Sequence, residues 1–142
     1  MGKNPNYKLI DHTADIGIIV YGRTLEDLFR ESALSLIHLM FGVLPEKEDC
    51  EKKELTVEGI DLVDLMVNWL SEILYLFEGK RRIVIDVNIK SLDSEKIEAE
   101  LDTVPFDEKK HEIQCEIKAV TYHQLEISEK DKKWEAQIIF DV

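Results

Sequence analysis

Three short segments of this chain carry side chains that could do chemistry. Asp11, His12 and Asp15 lie in DHTAD, between two apolar runs near the start. Lys118, Tyr122 and His123 lie in KAVTYH, and Asp141 is followed by Val142 at the end of the sequence. Carboxylates are hard oxygen donors. If Asp15 met Asp141 and a terminal carboxylate on Val142, the site would suit Ca²⁺, Mg²⁺ or Mn²⁺ rather than zinc, which favours nitrogen and sulfur.

Each segment also has a plainer reading. The four-residue spacing of Asp11 and Asp15 would align them on a helix, but Ile16 onward alternates like a strand, so a loop fits better. In a loop, short Asp and Thr side chains bond neighbouring backbone amides and stabilise a turn. His12 then reads as a hydrogen-bonded structural histidine. Lys118 sits on the polar phase beside Glu116 and reads as solvent-facing. His123 shares the phase of Ile117 and Leu125 and reads as a core-edge histidine, with Tyr122 facing the other way.

Catalytic signatures are missing from the sequence. It has no glycine-rich phosphate loop, Gly-x-Ser-x-Gly elbow or His-Glu-x-x-His helix, and Cys50 and Cys115 lack the surroundings of a nucleophile. A self-sufficient enzyme is not signalled. The two cysteines are far apart, which argues against a zinc site or disulfide framework and points to a reducing cytoplasm. The longest apolar stretch, 60–77, contains Asp61, Asp64, Asn68 and Glu72 and is a poor membrane span, and no cleavable apolar leader is visible.

Thirty acidic residues against eighteen Lys and Arg give a net charge of −12. That field repels phosphate backbones, so direct stable nucleic-acid binding is not expected, whereas cations or a basic protein surface would be attracted. With 142 residues, 44% of them hydrophobic, the chain can fold around one core as a single domain, 1–142.

The elements that must position these groups follow from periodicity. Leu25, Leu28, Phe29, Ala33, Leu36, Ile37 and Met40 recur at helical steps behind an N-cap at Thr24, and Gly42 and Pro45 stop the helix. The charged EKEDCEKKE reads as a solvated loop before a short strand at Leu55–Val57. Asp61 caps a second helix with a wide apolar stripe from Leu62 to Phe77, closed by Gly79. Beyond it the period falls to two, predicting antiparallel strands around Ile83–Ile89, EKIEAEL, Ile113–Ala119 and Trp134–Phe140. One or two more strands precede the first helix. The expected fold is α+β, with two helices on one face of a curved, mainly antiparallel sheet, and no internal repeat.

DHTADIG, KAVTYH and the final FDV, with TLEDLF and LVDLMVNWLSEILYLF between them, resemble the archease family over nearly the whole chain. The resemblance implies a small cytoplasmic accessory protein rather than an enzyme. Its implied partner is the tRNA-splicing RNA ligase, which joins a 3′-phosphate or 2′,3′-cyclic-phosphate end to a 5′-hydroxyl. The implied action is to promote guanylylation of the ligase's active-site histidine and repeated turnover.

By the same resemblance, Asp15, Asp141 and the C-terminal Val142 hold a divalent metal, Lys118 takes part in ligase activation, and Asp11 and His12 are second-layer or partner contacts. One departure is visible. Family members commonly carry Gly-Glu before the aspartate of the loop ahead of His111, whereas this chain reads LDTVPFDEKKH, keeping Asp107 and His111 without that pair. Two other classes stay open: a chaperone or interaction module for RNA-processing proteins, and a small carboxylate-metal phosphoester hydrolase.

Overall fold

The computed structural model describes residues 4–10 and 15–142. The chain runs β1 (Tyr7–Ile10), β2 (Ile16–Gly22), α1 (Leu25–Phe41), β3 (Glu51–Glu58), α2 (Leu62–Lys80), β4 (Arg82–Leu92), β5 (Lys96–Pro105), β6 (Ala119–Val120), β7 (Glu126–Lys130) and β8 (Lys133–Asp141). The expected two helices and antiparallel strands are present, but the strands divide between two sheets. One has the order β1-β2-β8-β6, with β7 also pairing β8; the other is β3-β5-β4.

Both helices bridge the sheets, α1 touching β2 and β4 and α2 touching β3, β4 and β6. A single apolar cluster therefore spans the molecule, with Ile18, Phe29, Leu36, Trp69, Leu101 and Phe140 among its buried members. Trp69 is fully buried, and its indole N–H donates to the Phe29 carbonyl at 2.9 Å, joining the helices through a satisfied polar contact.

The two strand-to-helix corners are copies of one local design. GRTLEDL and GIDLVDL have Gly, cap and acid at equal spacings. Thr24 Oγ1 accepts from the Asp27 amide at 3.0 Å and Asp61 Oδ1 from the Asp64 amide at 2.8 Å. In return Asp27 and Asp64 accept the amides of Arg23 and Ile60, both at 2.9 Å. These are reciprocal caps that satisfy helix N-terminal donors. A Cβ on Gly22 would lie 2.5 Å from the Leu28 nitrogen, and one on Gly59 2.6 Å from the Leu65 nitrogen, so each strand can approach its helix only through glycine. At seven residues this is a shared turn device rather than an internal repeat.

Several boundaries also differ from expectation. Helix α2 does not stop at Gly79; it ends on Lys80, with Arg81 in the left-handed region (φ 54°) as C-cap. Strand β3 starts at Glu51, inside the charged segment read as loop, because charge is tolerated on an exposed edge strand and its neighbours supply counter-ions. Lys52 lies 2.9 Å from Asp102, and Glu54 is 2.9 Å from Lys90. The alternating stretch 113–119 is not a strand except at Ala119–Val120, because the Gln114 and Cys115 amides bond the Met40 carbonyl at the end of α1. Strand β7 was not foreseen. Its two-residue hairpin to β8 uses Asp131 and Lys132 at φ 53° and 62°, values usually signalled by Asn-Gly.

Ser32 and Ser35 are fully buried on α1, and their hydroxyls find no hydrogen-bond partner among the described residues. Removing an unpartnered buried hydroxyl avoids its desolvation cost, so Ser35→Ala should raise unfolding stability, by up to about 1–3 kcal/mol. Trp69→Ala should lower it by about 3–5 kcal/mol, since it leaves a cavity and removes the indole's hydrogen bond to the Phe29 carbonyl. Urea unfolding of the two variants beside the parent checks the opposite signs.

Candidate functional site

Strand β8 is the central strand of its sheet, and its C-terminal end collects the sequence-predicted residues. The β2–β8 register pairs Ile16 with Phe140, which leaves Asp15 and Asp141 as the next residues at that end. On the other side β6 pairs Ala119 with Asp141. The Lys118 amide donates to the Asp141 carbonyl at 2.8 Å. Segments more than a hundred residues apart thus share one end of the sheet. Asp15 is half-buried, whereas Asp141, Val142 and the Lys118 side chain are exposed.

The register that makes this end is fixed by apolar burial. Ile18, Ala136, Ile138 and Phe140 are fully buried, and a slip of one residue would turn each strand's buried set outward. Gly17 permits close packing there, because a Cβ would fall 2.6 Å from Ile10 and 2.9 Å from Ile139.

The donors at this end are of the right kind for a hard divalent cation, two side-chain carboxylates with main-chain oxygens beside them. Among the described residues, no group of three His, Cys, Asp or Glu side chains is gathered for a metal ion. Asp11 and His12 lie outside the described residues.

Strand β1, which leads toward residues 11–14, is tied to α1 by Tyr7. Its hydroxyl lies 2.8 Å from His38 Nδ1 in the last turn of that helix, and the rings meet edge to face with centroids 5.7 Å apart. Burial lowers the pKa of His38 and raises that of Tyr7.

The KAVTYH segment differs from its alternating pattern. Val120 is buried, but His123 is exposed rather than at the core edge, because Gln124 turns the chain at φ 51° before Leu125 returns to the core. Tyr122 points back to α2 and donates its hydroxyl to Asp64 Oδ1 at 2.5 Å. That bond, with the Ile60 amide, holds the Asp64 carboxyl below the usual carboxylate range and pushes the Tyr122 phenol up. Asp64 escaped the sequence reading as anything beyond a helical residue. Its only signal was the Asp-x-x-Asp spacing of a cap.

Asp107 and His111 have structural work. His111 Nδ1 accepts the Asp107 amide at 3.0 Å, and its ring stacks on Phe106 with centroids 5.9 Å apart. They close a turn on the aromatic cluster of Phe41, Phe77 and Phe106. Among the described residues, no helix is long and apolar enough to cross a membrane.

The archease protein family (MTH1598/TM1083) matches residues 7–142. An archease of Methanosarcina mazei is 34% identical over 140 residues, which cover 96% of this chain and 95% of that protein. The solution structure of protein 1598 of Methanobacterium thermoautotrophicum is similar at TM-score 0.73 and 29% identity, covering 96% of this chain and 99% of the other. The crystal structure of a Thermotoga maritima archease, described as a possible chaperone, is similar at TM-score 0.66 and 25% identity, with 95% and 96% covered.

A pH dependence follows from His38. Its depressed value in the folded state means that the unfolded chain takes up the proton first. The stability tied to neutral His38 is complete above about pH 6.5, the ordinary histidine value, and is lost as the pH falls toward the lower folded value. The thermal midpoint should fall more steeply with acidification over that window in the parent than in His38→Phe, as measured by circular dichroism.

Proposed function

Because this chain belongs to the archease family, we propose that it is an accessory protein that activates the tRNA-splicing RNA ligase through the end of the sheet bearing Asp15, Lys118 and Asp141. The observation that carries this reading is the shared strand end, where β2 and β6 flank Asp141 and the Lys118 amide bonds its carbonyl. Asp15 and Asp141 hold a divalent cation there, Ca²⁺, Mg²⁺ or Mn²⁺, with the main-chain oxygens of Val142 close by. When bound, such an ion supplies positive charge of the kind that orients and neutralises nucleotide phosphates in phosphoryl transfer. Lys118, exposed beside it, adds a flexible ammonium to the same surface. Asp11 and His12, which lie outside the described residues, are assigned by the family resemblance as supporting or partner contacts.

The chain promotes guanylylation of the ligase and repeated turnover, and it does no chemistry of its own. An acidic protein suits this task, since its charge of −12 favours a protein partner over the RNA backbone. A chaperone role is the second reading, favoured by the description of the Thermotoga relative as a possible chaperone.

Multiple-turnover ligation of a 2′,3′-cyclic-phosphate RNA by the cognate ligase, with GTP and Mn²⁺ and substoichiometric protein, tests the proposal. The parent should stimulate, and Asp141→Ala and Lys118→Ala should each lose tenfold or more, about 1.4 kcal/mol in activation free energy. Calorimetric titration with Ca²⁺ and Mn²⁺ should separate the two, with Asp15→Ala and Asp141→Ala losing affinity and Lys118→Ala keeping it. Stimulation untouched by all three variants overturns the assignment. Stoichiometric protection of the ligase from aggregation, without metal dependence, moves the protein to the chaperone reading.

A further inference from the structure

Ile60 is 83% exposed and Tyr122 56% exposed, and one carboxylate bonds the backbone of the first and the hydroxyl of the second. Asp64 Oδ2 accepts the Ile60 amide at 2.9 Å, while Oδ1 accepts the Tyr122 hydroxyl. Asn68 Nδ2 approaches the same Oδ2 at 3.4 Å and donates to the Glu58 carbonyl at 2.9 Å. Tyr122 is thereby held at the surface through its side-chain hydroxyl, and Ile60 is set beside it through its backbone amide.

The repeated corner makes Ile60 stand out. A hydrophobic residue before an N-cap ordinarily packs on the helix as a staple, yet Ile60 stays in solvent. The equivalent position of the first corner holds Arg23, also exposed, with the same backbone bond to its capping aspartate. The turn therefore accepts a charged side chain, and nothing in the fold calls for isoleucine at 60.

We propose that Ile60 and Tyr122, both positioned by Asp64, are docking residues that seat the Asp61–Asp64 end of α2 on a basic, apolar-notched surface of the ligase. The inference rests on the functional reading above. A tyrosine whose hydroxyl is already bonded loses little freedom on binding, and an aliphatic side chain on a backbone fixed beside it adds apolar area to the same anchor. Asp61 and Asp64 flank them, so the complementary surface is cationic and apolar, consistent with attraction by a chain of net charge −12. Tyr122 lies four residues after Lys118 in the KAVTYH segment, so docking at α2 and approach of the Lys118–Asp141 end act together. The first contact holds, and the second works on the partner.

Affinity of the full chain for the cognate ligase, measured by calorimetry at low and moderate salt, tests this. Ile60→Arg copies the residue already tolerated at 23 and should fold normally while weakening binding tenfold or more; Tyr122→Ala should weaken it comparably. Val43→Asp, at another exposed apolar position, should leave affinity unchanged, and parent affinity should fall with salt. If the parent binds and stimulates the ligase but both variants bind equally well, the docking inference is overturned and the strand-end reading stands. If the parent neither binds nor stimulates, the functional reading itself fails. A self-associated parent that Ile60→Arg disperses would assign the surface to a second copy of this chain and also overturn the inference.

Discussion

The register of β8 is the constraint on which the candidate site depends. This strand pairs β2 along one edge and β7 and then β6 along the other, so three segments from separate parts of the chain take their positions from it. Burial of Ala136, Ile138 and Phe140 against the helix layer holds that register. The cost of slipping by one residue is that those side chains leave the helix-facing side of the sheet. Asp141 is the first residue beyond the buried run, and the neighbours that flank it follow from the pairing. Packing thus positions the polar groups at that end of the sheet.

The helices carry this order into the second sheet. Each begins behind a glycine that lets a strand end run against its first turn, and each is started by a reciprocal cap. The Trp69–Phe29 bond locks the pair at its centre. At the second corner the cap acquires another use. Asp64 serves the helix start, the backbone at Ile60 and the placement of Tyr122 at once, so the KAVTYH segment is indexed to α2 as well as to β8. A surface linking α2 to the Lys118 segment can hence be rigid without being buried.

Much of the fold was legible in the sequence because its signals are local. Helices α1 and α2 were evident from apolar spacing and from Thr24 and Asp61, whose caps need only the three following residues. Strands β4, β5 and β8 were evident from alternation. The errors fell where a distant partner decides. The 113–119 stretch alternates like a strand, but its amides are taken by the end of α1. His123 keeps the phase of Leu125 on paper and loses it to the turn at Gln124. The charged start of β3 looks like loop until Asp102 stands opposite its lysine.

By itself the sequence determined the element types, their caps, the acidic character of the surface and the three motifs that mark the family. Periodicity and capping are properties of neighbouring residues and survive without a fold. Tertiary structure decided the division of the strands into two sheets, the meeting of the Asp15, Lys118 and Asp141 segments, and the clasp of Asp64 on Ile60 and Tyr122. Those depend on pairings between residues up to more than a hundred positions apart, and such pairings are selected by shared burial, which no single segment encodes.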